Sequence, residues 1–127
     1  MRILGADTEP DTDIYGSIHL RDDDPRLGML EHSLQDGILE LAEHLGYLTY
    51  HTHDSRRSNP GFPDLVLCHP GRRRTIFAEL KSTKGHVTRT QDMWLTGLAT
   101  AGNNVHLWQP YDWVTGGIER ELKGPRI

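Results

Sequence analysis

The sequence predicts an α/β domain: a small mixed β-sheet flanked by helices, in the order α-β-β-β-α-β. Three observations carry this. Residues 27–45 repeat apolar side chains at helical spacing, residues 65–81 hold two apolar strands around a tight turn, and residues 88–108 read as a capped helix followed by a short strand.

The first helix is expected over 27–45, because Leu34, Ile38, Leu41 and Leu45 recur at i, i+4, i+7 and i+11 and Gly46 stops the run. At about 100° per residue, Glu31 projects only ~20° from Ile38, near the middle of the apolar face. A lone carboxylate buried there is costly unless it is paired, protonated or bound to a cation. A strand, Tyr47 to His51, follows, and then a polar loop punctuated by Gly and Pro, HDSRRSNPGFP. Leu65–Cys68 and Thr75–Lys81 form a hairpin around HPGR. The second helix runs from Thr88 to Ala101 with Thr88 as N-cap, Gln91 three residues on, and Gly102 as its stop. Val105–Trp108 is the last strand, and the chain from Asp112 onward reads as a loosely patterned tail.

With 127 residues, one domain is expected, and the longest uninterrupted apolar run, Leu65 to Cys68, excludes a membrane-spanning helix. The opening MRILGADTEPD turns acidic too early for a secretory signal, and the single cysteine, Cys68, suits a reducing cytoplasm. Residues 1–26 hold seven acidic against three basic residues and so account for the whole net charge of −4. We expect them to form an acidic arm, with a short strand near Ile14–Leu20, attached to a single domain over 27–127. Residues 51–91 are the reverse, with eight basic against three acidic side chains. A cationic middle removes the objection that an acidic chain should avoid nucleic acid. DTEPDTDIYG fails as a calcium loop, lacking Gly at the sixth and Glu at the twelfth position.

The chemistry is concentrated at the strand ends. If the hairpin turns at Gly71–Arg72, Asp64 faces Glu79 across the two strands, with Cβ atoms ~5 Å apart. Lys81, two residues past Glu79, lies on the same strand face. Two carboxylates so close repel unless a cation sits between them. Mg²⁺ or Mn²⁺ suits such a pair: hard divalent ions take oxygen ligands and are held by one or two carboxylates. The backbone carbonyl of Leu80 would add a third oxygen and Glu31 would assist. Such an ion neutralises charge on a phosphate, while Lys81 orients or deprotonates the water.

Plainer readings stand beside this one. Asp64 also suits a turn cap after Pro63, and Glu79 with Lys81 suits a solvated salt-bridge row on an edge strand. Gln91 is explained equally by a capping box or by support of the site. His51 and His53 form an H-x-H pair that lacks a third zinc ligand. With Arg56 and Arg57 they read as a basic loop touching phosphates, or as a solvated loop. Lys84, His86 and Arg89 are further candidate phosphate contacts. Arg72–Arg74, at the far turn, are expected to serve solubility or the distant backbone. The few aromatics lie mostly in apolar runs, so no base-stacking platform is expected.

Taken in order, LEHSLQ with Glu31 and Gln35, GFPDLVL with Asp64, FAELKSTKG with Glu79, Lys81 and Gly85, TRTQDMW with Gln91 and Trp94, and GNNVHLWQP resemble the PD-(D/E)XK nuclease superfamily, and within it the VRR-NUC branch. The resemblance runs from Leu30 to Trp113 and leaves the acidic arm uncovered. It implies a restriction-endonuclease-like core and a metal-dependent phosphodiesterase. Asp64 and Glu79 would be the principal ligands, with Glu31 assisting, Lys81 catalytic and Gln91 positioning the site. It also implies a homodimer that cuts branched DNA, acting in the host cytoplasm if phage-encoded. The rivals are a DNA- or protein-binding module that does not cut, and a nuclease subunit active only with a partner.

Overall fold

The computed structural model describes residues 20–53 and 58–124. Four strands form one sheet in the order β1-β2-β3-β4, namely Leu48–His51, Leu65–His69, Arg74–Leu80 and Asn104–Trp108. The first two pairings are antiparallel and β3 with β4 is parallel. A parallel pair needs a crossover, and α2 (Arg89–Thr100) supplies it. The sheet is therefore mixed, and helices flank it.

Alternation along the strands divides the packing between two faces. Leu65, Leu67, Ile76, Ala78 and Leu80 turn toward α1 (Glu31–His44), whose Leu34, Ile38 and Ala42 are fully buried against them. Phe77 and Glu79 point the other way, toward α2, whose Leu95 is buried.

α1 starts four residues later than the apolar spacing predicts. Asp24 accepts a hydrogen bond from the Arg26 N–H at 2.9 Å and nucleates a 3₁₀ turn over Pro25–Gly28. Gly28 then favours leaving the helical path, and Met29 and Leu30 are extended. The expected boundary between residues 26 and 27 thus falls inside this turn. Residues 1–19 of the acidic arm, and with them all of the expected strand near Ile14–Leu20 but its last residue, lie outside the described residues; Leu20 is buried. The helix ends at Gly46, whose φ of +95° is the left-handed conformation a glycine adopts without steric cost.

The C-terminal segment is helical and integral to the core, where a loose tail was expected. Its elements are α3 (Pro110–Val114) and α4 (Gly117–Lys123). Ile118 and Leu122, one turn apart on α4, are fully buried, and each contributes about 1.5–3 kcal/mol by leaving water. Tyr47 donates its hydroxyl hydrogen to the Leu122 carbonyl at 2.5 Å. Arg72 donates to the Lys123 carbonyl, and Arg74 donates to the Glu121 carbonyl at 2.8 Å and to its carboxylate. Two hairpin arginines therefore cap the C-terminus of α4, where carbonyls are left over and positive charge is favoured. For Arg72 and Arg74 that corrects the expectation that Arg72–Arg74 serve solubility or the distant backbone; Arg73 is the left-handed turn residue, at φ 55°. Among the described residues no helix is long and apolar enough to cross a membrane.

Candidate active site

The hairpin register pairs Leu65 with Ala78 and, continued by one step, Asp64 with Glu79. That step brings the two carboxylates together at the end of the sheet. They share a pocket of about 300 Å³ lined by Glu31, His32 and Gln35 of α1, Leu80 and Lys81 at the end of β3, and Gln91 of α2. The N-termini of both long helices reach this pocket, an arrangement that favours negative charge.

Pro63 and Asp64 interrupt the ladder in a specific way. Asp64 Oδ2 accepts the Leu80 N–H at 2.8 Å. The N–H and C=O of one strand residue point to the same side, so the Leu80 carbonyl is also turned toward β2. Continued by one further step, the register sets it opposite Pro63, which has no hydrogen to donate. Pro63 therefore cannot serve as the ladder donor of that carbonyl.

Glu79 is 1 % exposed. Its Oε2 accepts the Gln91 side-chain amide at 2.8 Å and lies 3.7 Å from Lys81 Nζ, while Oε1 is buried without a hydrogen-bond partner. Burial, and then the neighbouring Asp64 carboxylate, push its pKa up to about 8; the Lys81 ammonium acts in the opposite sense. A buried acceptor with nothing to accept is costly. This oxygen is the least satisfied polar atom of the site.

Gln91 closes the capping box and also reaches Glu79. Its carbonyl oxygen accepts the Thr88 N–H at 2.9 Å and Thr88 Oγ1 accepts the Gln91 N–H at 3.2 Å, closing the capping box. Its amide group remains to donate to Glu79. The start of α2 and the rotamer of Glu79 are fixed by one side chain. The segment after β3 is held too: Gln109 Nε2 donates to the carbonyls of Ser82 and Thr83, and Thr83 Oγ1 donates to the Leu27 carbonyl.

Glu31 reaches the pocket but is exposed, not buried on the apolar face. Its angle around the helix was predicted well, but its position along the axis was not. It is the first residue of α1, and core contact begins one turn later at Leu34.

The basic candidates are dispersed. Lys84, His86 and Arg89 are exposed, and none lines the carboxylate pocket. The rings of His51 and His53 lie 4.2 Å apart, away from the pocket lining. Arg56 and Arg57 lie outside the described residues. Sequence reasoning did not select His32 as a site residue and met Gln35 only as part of the LEHSLQ stretch; their positions one and four places after Glu31, around the first turn of a helix, were a further signal.

All the oxygens gathered here are hard donors. Among the described residues no three His, Cys, Asp or Glu side chains could hold a metal ion on their own. Two carboxylates and a backbone carbonyl, completed by water, remain a set that suits Mg²⁺ or Mn²⁺, and the unpaired Glu79 oxygen fits it.

A mixed sheet that gathers Asp64, Glu79, Lys81 and Gln91 at one end between two helix N-termini places the protein among nuclease-fold domains. The model of the VRR-NUC domain family matches residues 27–109, and the chain belongs to that family. Nuclease domains of this family are generally metal-dependent. Two solved structures are similar. One, described as a VRR_NUC domain, has a TM-score of 0.59 and 27% identity over 71% of this chain and 95% of its own. The other, a VRR_NUC domain protein, has a TM-score of 0.57 and 18% identity over 76% of this chain and 90% of its own, a likeness of fold. Comparison with curated protein sequences gave no match.

Proposed function

We propose that the protein is a Mg²⁺- or Mn²⁺-dependent endonuclease that hydrolyses DNA phosphodiester bonds. The observation that carries this reading is the buried, half-unpaired Glu79 beside Asp64 and Lys81. Asp64, Glu79 and the Leu80 carbonyl would hold the ion, with Glu31 assisting from the rim. When bound, the ion supplies charge neutralisation at the phosphate and makes water easier to deprotonate.

The chain's own groups do the rest. Lys81 sets an ammonium beside the carboxylates, where it orients the attacking water and offsets negative charge on the phosphoryl oxygens. Gln91 holds Glu79 in place and is a positioning residue. Asp64 is itself anchored by the Leu80 N–H, so little reorganisation is required on binding. His51, His53, Arg56, Arg57, Lys84, His86 and Arg89 serve as contacts to the phosphate backbone on either side.

The domain spans 27–127 with an acidic arm over 1–26. The preferred substrate is branched duplex DNA, selected by shape and cut by a homodimer in the cytoplasm, in replication, recombination or repair. The test is cleavage of four-way-junction and linear DNA with Mg²⁺, with Mn²⁺ and with EDTA. Symmetric nicks in the junction, absent in EDTA and in Asp64→Ala, are expected. Equal cutting by Asp64→Ala and Glu79→Ala would falsify the catalytic assignment. DNA binding without cutting would leave a binding module, and cutting only on addition of a partner would make the chain a nuclease subunit.

A further inference from the structure

The sheet face that packs α2 holds a second pocket, of about 250 Å³, lined among the described residues by Tyr50, Thr52, Asn59, Phe62 and Trp94, with Ser58 and Gly61 completing it. Three of these are aromatic. Tyr50 is 59% exposed on the edge strand and Trp94 is 38% exposed on α2. Phe62 meets Trp94 edge to face, with ring centroids 5.1 Å apart. Strand alternation sets Tyr50 on the α2 face, and the 58–62 loop carries Phe62 to Trp94, a grouping of aromatics that the apolar runs of the sequence did not lead us to expect.

The pocket is built in advance. Gly61 has a φ of +97°, and a Cβ there would come within 2.5 Å of the Thr90 backbone, so only glycine lets this loop lie so close to α2. Among the described residues the lining is uncharged. It combines ring faces with the amide of Asn59 and the hydroxyls of Thr52 and Ser58, groups that both donate and accept. Its volume is below the roughly 300–1,000 Å³ of pockets for larger ligands, so it suits one ring system and not a peptide segment.

The location ties it to the carboxylates. Thr52 donates its N–H to the Asp64 carbonyl at 3.1 Å. Phe62 is two residues before Asp64, at most about 7 Å along the chain. Trp94 is three residues after Gln91 on the same helix, a rise of about 4.5 Å.

Resting on the nuclease reading above, we infer that this pocket holds one unpaired nucleobase of the DNA beside the phosphate to be cut, stacked between Tyr50 and Trp94 and bonded at its edge by Asn59. Forks and other branches with single-stranded arms supply such a base at little cost, whereas a continuous duplex must first unstack one. The pocket would thereby give branched DNA its advantage.

The test is binding in EDTA at low salt, where no strand is cut. The probe is a fluorescein-labelled splayed-arm DNA, with an abasic residue moved one position at a time along the unpaired arm. One abasic position near the fork is expected to weaken binding about 10-fold, and Trp94→Ala or Tyr50→Ala to weaken the intact probe by a similar factor. Neither variant should lose further affinity for the probe carrying that abasic residue. Tyr50 is the more exposed of the two, and thermal melting of each variant separates lost binding from lost fold. Equal weakening of every probe, no abasic position with an effect, or no binding at all would overturn the inference. So would a change of oligomeric state as the sole effect, which would make the face a protein interface. Positional dependence without any cleavage in Mg²⁺ would keep the pocket and reject the nuclease; cleavage without positional dependence would do the reverse.

Discussion

Glu79 and Glu121 are glutamates at opposite ends of β3 with opposite fates. Glu79, at the far end of the strand, keeps one buried oxygen unpartnered and has its pKa pushed up to about 8. Glu121 reaches the start of the strand from α4. It receives Arg74, accepts the Asn104 amide at 3.0 Å and lies 3.2 Å from His106 Nε2. The His106 contact above all, with Asn104 and Arg74, lowers its pKa to about 2 despite burial. A carboxylate that exists to hold the fold is surrounded by donors. One that is starved of donors and faced with a second carboxylate is waiting for something else.

The largest effect that tests this contrast is on cleavage. Glu79→Gln removes a charge and keeps the shape, so cleavage should fall on the order of 10³-fold. The metal-free protein should at the same time be no less stable, as followed by urea denaturation. Parent-like cleavage in that variant would end the distinction.

Next in size is pH. With the pKa of Glu79 above its unfolded value of 4.5, the folded state holds the extra proton. Its stability is full below pH 4.5 and is lost as pH rises through about 8. Denaturation of the metal-free protein between pH 5 and 9 should show a decline of a few kcal/mol, at about 1.4 kcal/mol per tenfold change in proton affinity. Glu79→Gln should flatten it. Glu121 carries the opposite sign: its contribution is present above pH 4.5 and disappears as pH falls through about 2.

At the structural end, Glu121→Ala should cost about 2–3 kcal/mol by leaving Arg74 without its carboxylate, while each folded molecule still cuts. Loss of cleavage without loss of stability would reverse the roles of the two glutamates. Smallest is Gln91→Ala, expected to lower cleavage about 10- to 100-fold through misplacement of Glu79, as loss of an outer-shell partner does. It also removes half of a capping box, so a melting curve must accompany the kinetics.

Much of this architecture was legible in the sequence. The strand pair around HPGR gave the register that sets Asp64 against Glu79, because alternation and a short turn leave few alternatives. Thr88 and Gln91 announced the start of α2 from local chemistry alone. The closing helices were hidden. Their breakers, Pro110, Gly116 and Gly124, cut the segment too short for periodicity to show, and α4 is held by Arg72 and Arg74 some fifty residues earlier. The exposure of Glu31 was unreadable for a related reason: helical spacing gives direction around an axis, and the helix start was set by Asp24 and Gly28 outside the apolar stripe. The aromatic pocket needed the 58–62 loop in place, which no periodicity describes.

Pro63 has a consequence of its own. Most residues influence a centre by what they contribute, whereas this one acts by withholding a single hydrogen atom from the strand across from it. An alanine there would fill almost the same space yet offer the Leu80 oxygen an amide, and a would-be ligand would turn into one more rung of the sheet.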